Sequence, residues 1–266
     1  MKKFLLALTA AAAFTGSASA ADLGARPYTK APIAVAPAVN WTGCYLGGGG
    51  GGAMTNNDHN DVDAVGFLGV PGAAVSPNLT SGARGWFGTV QAGCDYQFAG
   101  TNWLVGAFGD YDFMDVKGDT SIGGFFGPAS TGSQKQDWQW AVGGRVGYLV
   151  LPQLLTYVSG GYTQAHWKAT GLNTFPGNVP TGAQIDGFTK GGWFIGTGDE
   201  YALNFLPGLF WKTEYRYSEF DRANVNISVG GVATGLVETN KVREHSVRSE
   251  LVYRFNWGGG PVVAKY

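Results

Sequence analysis

The sequence predicts an all-β protein: an eight-stranded, antiparallel, up-and-down β-barrel that crosses a membrane. Three observations predict this fold. Apolar and polar residues alternate in several segments, short and long connections alternate between those segments, and the composition is rich in glycine and aromatic residues but low in charge. Alternation gives each strand one apolar and one polar face. Alternating strands without a long apolar run are typical of a transmembrane barrel.

The first twenty residues predict a secretory signal peptide. Lys2 and Lys3 precede a short apolar run, and the small residues that follow fit cleavage between Ala20 and Ala21. An uncleaved membrane anchor is the alternative. It is disfavoured because the apolar run is shorter than the roughly twenty residues that a spanning helix needs.

Three further regions follow in the expected mature chain. Residues 21–40 form a proline-rich arm, predicted to be extended on the periplasmic side, 41–257 form the barrel, and 258–266 form a C-terminal tail. The eight predicted strands are 41–54, 84–98, 103–117, 137–150, 154–168, 189–203, 209–220 and 243–257. The first and fifth are ambiguous because glycine lies on both faces.

The seventh and eighth strands alternate most clearly. The prediction is that Trp211, Tyr215, Leu251 and Tyr253 face outward and that Glu214, Arg216, Arg248 and Arg254 face inward. Short connections are predicted at Ala99–Asn102, Leu151–Gln153 and Asn204–Gly208, and long polar loops at 55–83, 118–136, 169–188 and 221–242. Short periplasmic turns and long external loops are the pattern of outer-membrane barrels.

A soluble lipocalin-like barrel is the competing fold, because alternation alone does not say which face is inside. Two features favour the membrane barrel. Several strands carry two or more charges of both signs on the polar face, as though they pair in a closed interior. The apolar face begins and ends with Trp and Tyr, as at a membrane interface.

Five segments resemble a known family. They are Asn40–Gly48 (NWTGCYLGG), Gln91–Phe98, Gly192–Ala202, Lys212–Tyr217 and Tyr253–Trp257. In this order they are similar to the small OmpA-like, RopB-type outer-membrane barrels of alphaproteobacteria, which include surface immunogens of brucellae. The resemblance covers nearly the whole chain except the loops.

The resemblance implies a location in the outer membrane of a Gram-negative bacterium, with a structural or surface role and no catalysis. The expected partners are outer-membrane lipid, lipopolysaccharide and the barrel-assembly machinery. A net charge of −1, which becomes more negative without the signal lysines, gives no reason to expect nucleic acid. The sequence departs from the family pattern at Cys44, Cys94 and Asp199. Asp199 is expected near a short turn, at headgroup level, where charge costs little.

Charged residues on the predicted inner face are the leading site candidates. They are Arg145, Glu200, Lys212, Glu214, Arg216, Arg248, Glu250 and Arg254. A structural salt-bridge network is favoured, because eight strands leave room only for side chains and unpaired interior charges are costly. A polar path or gate for small solutes is the alternative, so a small-solute channel stays open as a second function.

Evidence for catalysis or a metal centre is weak. His59 lies beside Asp58 and Asp61 in the first predicted loop, but a solvated loop is favoured over a metal site. No two histidines share a motif and no Gly-x-Ser-x-Gly occurs, which disfavours a surface enzyme, the third function considered. The run Gly47–Gly52 opens no helix and instead suits a tightly curved barrel wall. No cofactor is expected.

The two cysteines lie at similar heights on neighbouring predicted strands. Both stand where the family has outward aromatic residues, so Cys44 and Cys94 are expected on the same face with Cα atoms within about 7 Å. The periplasm is oxidising enough for a bridge. The favoured interpretation is nevertheless that the two cysteines are not bonded and simply replace the aromatic residues as small apolar side chains.

Overall fold

The computed structural model describes residues 39–66, 69–122 and 129–255. The described residues form strands and connections. The strands are β1 (Gly43–Asp63), β2 (Ala73–Ala74), β3 (Leu79–Gln97), β4 (Trp103–Ile122), β5 (Ser130–Leu151), β6 (Leu154–Trp167), β7 (Thr170–Thr174), β8 (Pro180–Ile185), β9 (Phe188–Ala202), β10 (Leu209–Phe220), β11 (Ala223–Val229) and β12 (Val232–Phe255). No helix in these residues is long and apolar enough to cross a membrane.

Eight of these strands close into an antiparallel ring. The order around it is β1, β3, β4, β5, β6, β9, β10 and β12, and β12 pairs with β1 from Cys44↔Phe255 to Asp63↔Leu236. The predicted eight-stranded barrel is confirmed, with its short connections at one end. Closure removes the free edges that an open sheet would expose.

An apolar band surrounds the ring because the outward positions of the strands alternate with polar inward ones. In β4 the outward side chains run from Trp103 to Phe113. The ten residue steps between them, at a strand tilt of about 40°, span about 25 Å, the height of the lipid-facing band of a transmembrane barrel. Aromatic residues mark both rims. Trp103, Tyr148 and Tyr253 lie at the end with the short connections, and Trp86, Phe113, Trp138 and Trp193 form an outer girdle at the other.

The structure corrects the predicted long loops. Much of 55–83, 118–136, 169–188 and 221–242 is strand, because β1, β3, β4, β5 and β12 continue beyond the apolar band. On these continuations the outward side chains are polar, such as Asn56, Asp115 and Lys135. Loss of apolar residues therefore marks where the sheet leaves the lipid, and hydrogen bonding between strands continues past that level.

The outer extension, defined as the part of the sheet beyond the girdle, gains strands of its own. β6, β9 and β10 end, and β7, β8 and β11 bridge the space between β5 and β12 in the order β5–β7–β8–β11–β12. A buried apolar cluster stabilises the outer extension. Its buried members are Leu172, Ile185, Ala223, Val225 and Ile227.

The glycine run in β1 allows close approach of the neighbouring strand. A Cβ on Gly49 would lie 2.1 Å from the Ser249 carbonyl oxygen, and one on Gly51 would lie 2.2 Å from that of Val247. Neither position has space for a side chain, which agrees with a tightly curved wall. The signal peptide, most of the proline-rich arm and the C-terminal tail lie outside the described residues, as do the last two residues predicted for the eighth strand.

Candidate functional site

The interior of the barrel begins, at the end with the short connections, with an apolar plug. Trp41 is fully buried there and its ring centroid lies 4.8 Å from that of Phe210. Its Nε1 donates a hydrogen bond to the Pro152 carbonyl oxygen at 3.1 Å. Leu104, Leu155 and Val252 belong to the same apolar cluster. This end of the bore is therefore filled by packed side chains.

Two arginines and two carboxylates form the first charged layer above the plug. Arg254 Nη2 lies 2.6 Å from Glu200 Oε1, and its Nη1 lies 2.6 Å from Asp95 Oδ2. Arg145 bridges the same two carboxylates, with its Nη1 3.0 Å from Glu200 Oε2 and its Nη2 on Asp95. The four groups come from four different strands, so each pair joins distant parts of the ring.

Lys212 is at the centre of the next layer. Its Nζ donates to Gln91 Oε1 at 2.8 Å and lies 3.5 Å from Glu214 Oε2 and 3.7 Å from Glu250 Oε1. The Tyr157 hydroxyl donates to Glu214 Oε2 at 2.8 Å. Lys212 thus lies between the two glutamates of this layer, and the Gln91 amide donates a further hydrogen bond to Glu250.

Arg216 and Arg248 form the third charged layer. Arg216 donates two parallel hydrogen bonds to Asp110, at 3.0 and 2.8 Å, and its Nη2 lies 2.8 Å from Glu214 Oε1. Arg248 Nη2 lies 3.1 Å from Asp112 Oδ2 and its Nη1 lies 3.3 Å from Asp110 Oδ1. Bidentate arginine–carboxylate pairs are the strongest of these contacts.

Aromatic rings fill the space between the charges. The Arg216 guanidinium carbon lies 4.3 Å from the centroid of Phe194, and that of Arg145 lies 4.9 Å from Tyr45. A cation over a ring face in a water-poor interior gains electrostatic attraction as well as contact area. The layers therefore form a continuous column of packed, paired side chains.

The structure places all eight predicted interior residues in this column, each at most 3% exposed. Outward residues Trp211, Tyr215, Leu251 and Tyr253 are between 43 and 53% exposed. Sequence reasoning left three carboxylates out of the network: Asp95, Asp110 and Asp112. The signal was present, since all three alternate with outward apolar residues in β3 and β4.

Cys44 and Cys94 are directly opposite each other in neighbouring strands and form a disulfide. Their Cα atoms are 3.9 Å apart, within the expected limit, and both residues face outward. The favoured expectation of two unbonded cysteines is therefore wrong. The register of β1 against β3 puts both side chains on one face at one height. The sequence alone predicted the height of each cysteine along its strand only to within a few residues.

Asp199 faces outward near the rim with the short connections, and its Oδ1 accepts a hydrogen bond from the Thr156 hydroxyl at 2.6 Å. A polar neighbour on the adjacent strand thus satisfies part of this carboxylate. The placement agrees with a headgroup-level position, where charge is tolerated.

His59 requires a correction. It lies in β1 within the outer extension and is 4% exposed, whereas the sequence predicted a solvated loop. Its Nδ1 is 3.5 Å from Glu238 Oε1, and Asp61 is directly opposite Glu238. Burial lowers the pKa of His59, and burial together with the Asp61 charge raises the pKa of Glu238 to about 8. Both groups are therefore uncharged at neutral pH.

The described residues contain no set of three His, Cys, Asp or Glu side chains arranged to hold a metal ion. The interior column instead combines side-chain packing with charge pairing. A closed antiparallel ring with an apolar outer band, aromatic rims and a polar, paired interior defines a small transmembrane β-barrel of the bacterial outer-membrane type.

Proteins with similar sequences belong to the same class. The chain belongs to the outer membrane protein beta-barrel domain family, whose model matches residues 6–255. It is 32% identical to the 31 kDa outer-membrane immunogenic protein of Brucella melitensis, over 96% of this chain and 100% of the relative. It is 24% identical to the 25 kDa outer-membrane immunogenic protein of Brucella abortus, over 96% and 99%.

Among solved structures, OprG from Pseudomonas aeruginosa aligns with 82% of this chain and 99% of its own, at 15% identity and a TM-score of 0.44. The fold is established by the strand pairing described above. With its family, the chain is an outer-membrane protein of a Gram-negative bacterium, and the relatives are named as outer-membrane immunogenic proteins rather than as enzymes.

Proposed function

We propose that the protein is a closed, non-conducting barrel with a structural and surface role in the outer membrane, and that it catalyses no reaction. The observation that carries the proposal is the column of paired side chains that crosses the bore above the Trp41 plug. Five cationic and six carboxylate side chains form it: Arg145, Lys212, Arg216, Arg248 and Arg254 with Asp95, Asp110, Asp112, Glu200, Glu214 and Glu250.

Passage of an ion would require these pairs to separate. Breaking one buried pair typically costs about 3–5 kcal/mol, because each charge is left without its partner in a water-poor interior. The Arg145, Arg254, Asp95 and Glu200 layer is especially resistant, since each arginine contacts both carboxylates. An eight-stranded ring also has little free interior space.

The outer extension supports the surface role. Its sheet carries polar residues outward, beyond the apolar band, at the end opposite the short connections. In outer-membrane barrels this end faces the surroundings of the cell. The immunogenic relatives of brucellae are consistent with a surface that is exposed there. Outer-leaflet lipid, including lipopolysaccharide, and the barrel-assembly machinery are the partners that this role requires.

Planar-bilayer recording tests the proposal. Purified protein reconstituted into a bilayer should give no steady conductance under conditions in which a general porin conducts. Folding is checked on the same sample by heat-modifiable gel migration, so that an absence of conductance cannot be caused by misfolded protein. Steady conductance from folded, pure protein would contradict the closed barrel and favour the small-solute channel.

A further inference from the structure

A row of cations crosses neighbouring strands on the outer face, just above the outer girdle. Arg84 in β3 is directly opposite Lys117 in β4, and Lys117 is directly opposite Lys135 in β5. Like charges at directly opposed positions destabilise a sheet unless an anion compensates them. Such a row therefore needs negative charge from the protein or from a ligand.

The protein supplies only part of that charge. Asp115 Oδ1 lies 2.9 Å from Lys117 Nζ and 2.6 Å from Lys135 Nζ, so one carboxylate serves two lysines. Arg84 is exposed and has no carboxylate partner among the described residues. The nearest residue toward the membrane on the same face of its strand is Trp86, in the girdle, 79% exposed.

A groove of about 540 Å³ lies beside this row. It crosses β1, β3, β4 and β5, and its lining includes Arg84, Lys117, Gly82 and Gly118. One carboxylate, Asp119, also lines it, so the two cations of the lining outnumber its acidic groups. The residue pairing between β3 and β4 ends at Arg84 and Lys117, so the two strands stop being paired where the groove lies. The volume is in the range of small-molecule binding sites.

Packing requires glycine at only one of the two glycine positions in the groove. A Cβ on Gly118 would lie 2.1 Å from the Gly82 carbonyl oxygen, so strand packing requires glycine there. A Cβ on Gly82 would meet only the Thr55 carbonyl oxygen, at an ordinary 3.5 Å. Packing does not require glycine at position 82, but a large side chain there would occupy part of the groove.

The height of the groove identifies its surroundings. Arg84 is two residues beyond Trp86, about 5 Å further from the membrane centre, which is the level of outer-leaflet headgroups. The anionic groups at that level are the phosphates of phosphorylated glycolipids. Guanidinium and ammonium groups bind phosphate by charge-assisted hydrogen bonds.

We propose that this groove is a binding site for a phosphate group of an outer-leaflet glycolipid, held by Arg84 and Lys117, with Gly82 leaving room for the sugar that carries the phosphate. This site would give the lipid partner of the proposed function a specific place on the protein. It rests on the proposal that the outer extension faces the cell surroundings, but not on the proposal that the bore is closed. Conductance and lipid binding therefore succeed or fail separately.

Native mass spectrometry of the folded, detergent-solubilised protein provides the test, with bisphosphorylated lipid A and its dephosphorylated form as probes. The wild type should bind one bisphosphorylated molecule at least tenfold more tightly than the dephosphorylated one. Arg84→Gln should lose about tenfold in affinity, the effect of one charge-assisted hydrogen bond. Gly82→Leu should lose a similar factor with every charge retained.

Lys168→Gln is the matched control, because Lys168 is an exposed cation outside the groove, paired at 3.8 Å with Asp137. It should bind as the wild type does. Heat-modifiable migration verifies that every variant is folded. Unchanged binding in both Arg84→Gln and Gly82→Leu, or an equal loss in Lys168→Gln, would overturn the site.

Two further probes identify the source of the phosphate. Millimolar inorganic phosphate should not displace bound lipid A, and phosphatidylglycerol should bind at least tenfold more weakly. Displacement by inorganic phosphate, or equal binding of phosphatidylglycerol, would overturn the assignment to an outer-leaflet glycolipid.

Discussion

Arg216 shows how each interior side chain depends on its partners. Its guanidinium is fully buried, donates to both Asp110 oxygens and to Glu214, and lies over the Phe194 ring. Burying a charge is expensive, and only this complete set of partners makes it tolerable. Removal of one partner therefore costs more than the pair itself contributes.

Arg216→Met should lower the free energy of unfolding by about 3–5 kcal/mol, because Asp110 and Glu214 lose their closest cation. Urea unfolding in lipid vesicles, followed by tryptophan fluorescence, measures the change. Adding Asp110→Asn should recover part of the loss, because it removes a buried carboxylate that has lost its bidentate partner, while Arg248 keeps its contact with Asp112. Exposed Lys168→Gln should shift stability by less than about 0.5 kcal/mol. Equal effects of Arg216→Met and Lys168→Gln would contradict the paired column.

Glu238 should make the stability of the outer extension depend on pH. Burial raises its pKa to about 8, so the folded protein holds a proton that the unfolded chain has lost at neutral pH. Stability from a raised carboxyl pKa is complete below the unfolded value and is lost as pH rises through the folded value. Between pH 7 and 9 the loss should be about 1.4 kcal/mol.

Unfolding of wild type and Glu238→Gln at pH 7, 8 and 9 checks this expectation. The glutamine variant should lose the dependence, because it cannot ionise. Glu219→Gln is the control, since the half-exposed Glu219 carboxylate is paired with Lys241 at 2.9 Å. Identical pH profiles for wild type and Glu238→Gln would show that Glu238 does not titrate there.

At the scale of elements, each strand has a lipid-facing part and an aqueous part. In β6, Val158 faces outward within the apolar band and is 58% exposed. In β11, Asn226 faces outward in the outer extension. The same substitution at the two positions distinguishes lipid from water.

Val158→Arg should destabilise the folded protein by about 2–4 kcal/mol in vesicles, because the charge enters the hydrocarbon layer. Asn226→Arg should change stability by no more than about 0.5 kcal/mol, because the position is in water. Reversible unfolding in vesicles measures both variants. A larger loss of stability for Asn226→Arg than for Val158→Arg would show that the position assigned to the membrane is wrong.

At the scale of the whole molecule, the barrel continues well beyond the membrane. Residues 55–63 of β1 pair with β12, and on the other side most of them pair with β3. Their amide groups are therefore held in a sheet, although the sequence predicted a long loop there.

Hydrogen exchange tests this continuation. Amides in 55–63 and 236–242 should exchange about a hundredfold more slowly than those around Phe205, in an exposed turn, because paired strands must open before exchange. Mass spectrometry of peptides from folded protein in detergent gives the rates. Equally fast exchange in both regions would show that the outer extension is a loop.

The sequence alone predicted the class, the eight strands within the membrane and the inward face of the eight candidate charges. These features follow from local rules: a strand repeats every two residues, and a lipid-facing surface must be apolar. Arg216 was placed inward because it lies between Tyr215 and Tyr217. Arg248 was placed inward because it alternates with Val247 and, further along the strand, Leu251. The outward faces of Trp211 and Leu251 followed in the same way.

Only the tertiary structure decided which groups meet. The pairing of Arg216 with Asp110, the bond between Cys44 and Cys94 and the burial of His59 depend on register and on closure of the ring, which join residues far apart in sequence. The outer extension was missed for a related reason. Polarity reports what solvent a residue faces, whereas a strand continues wherever a neighbouring backbone can pair with it.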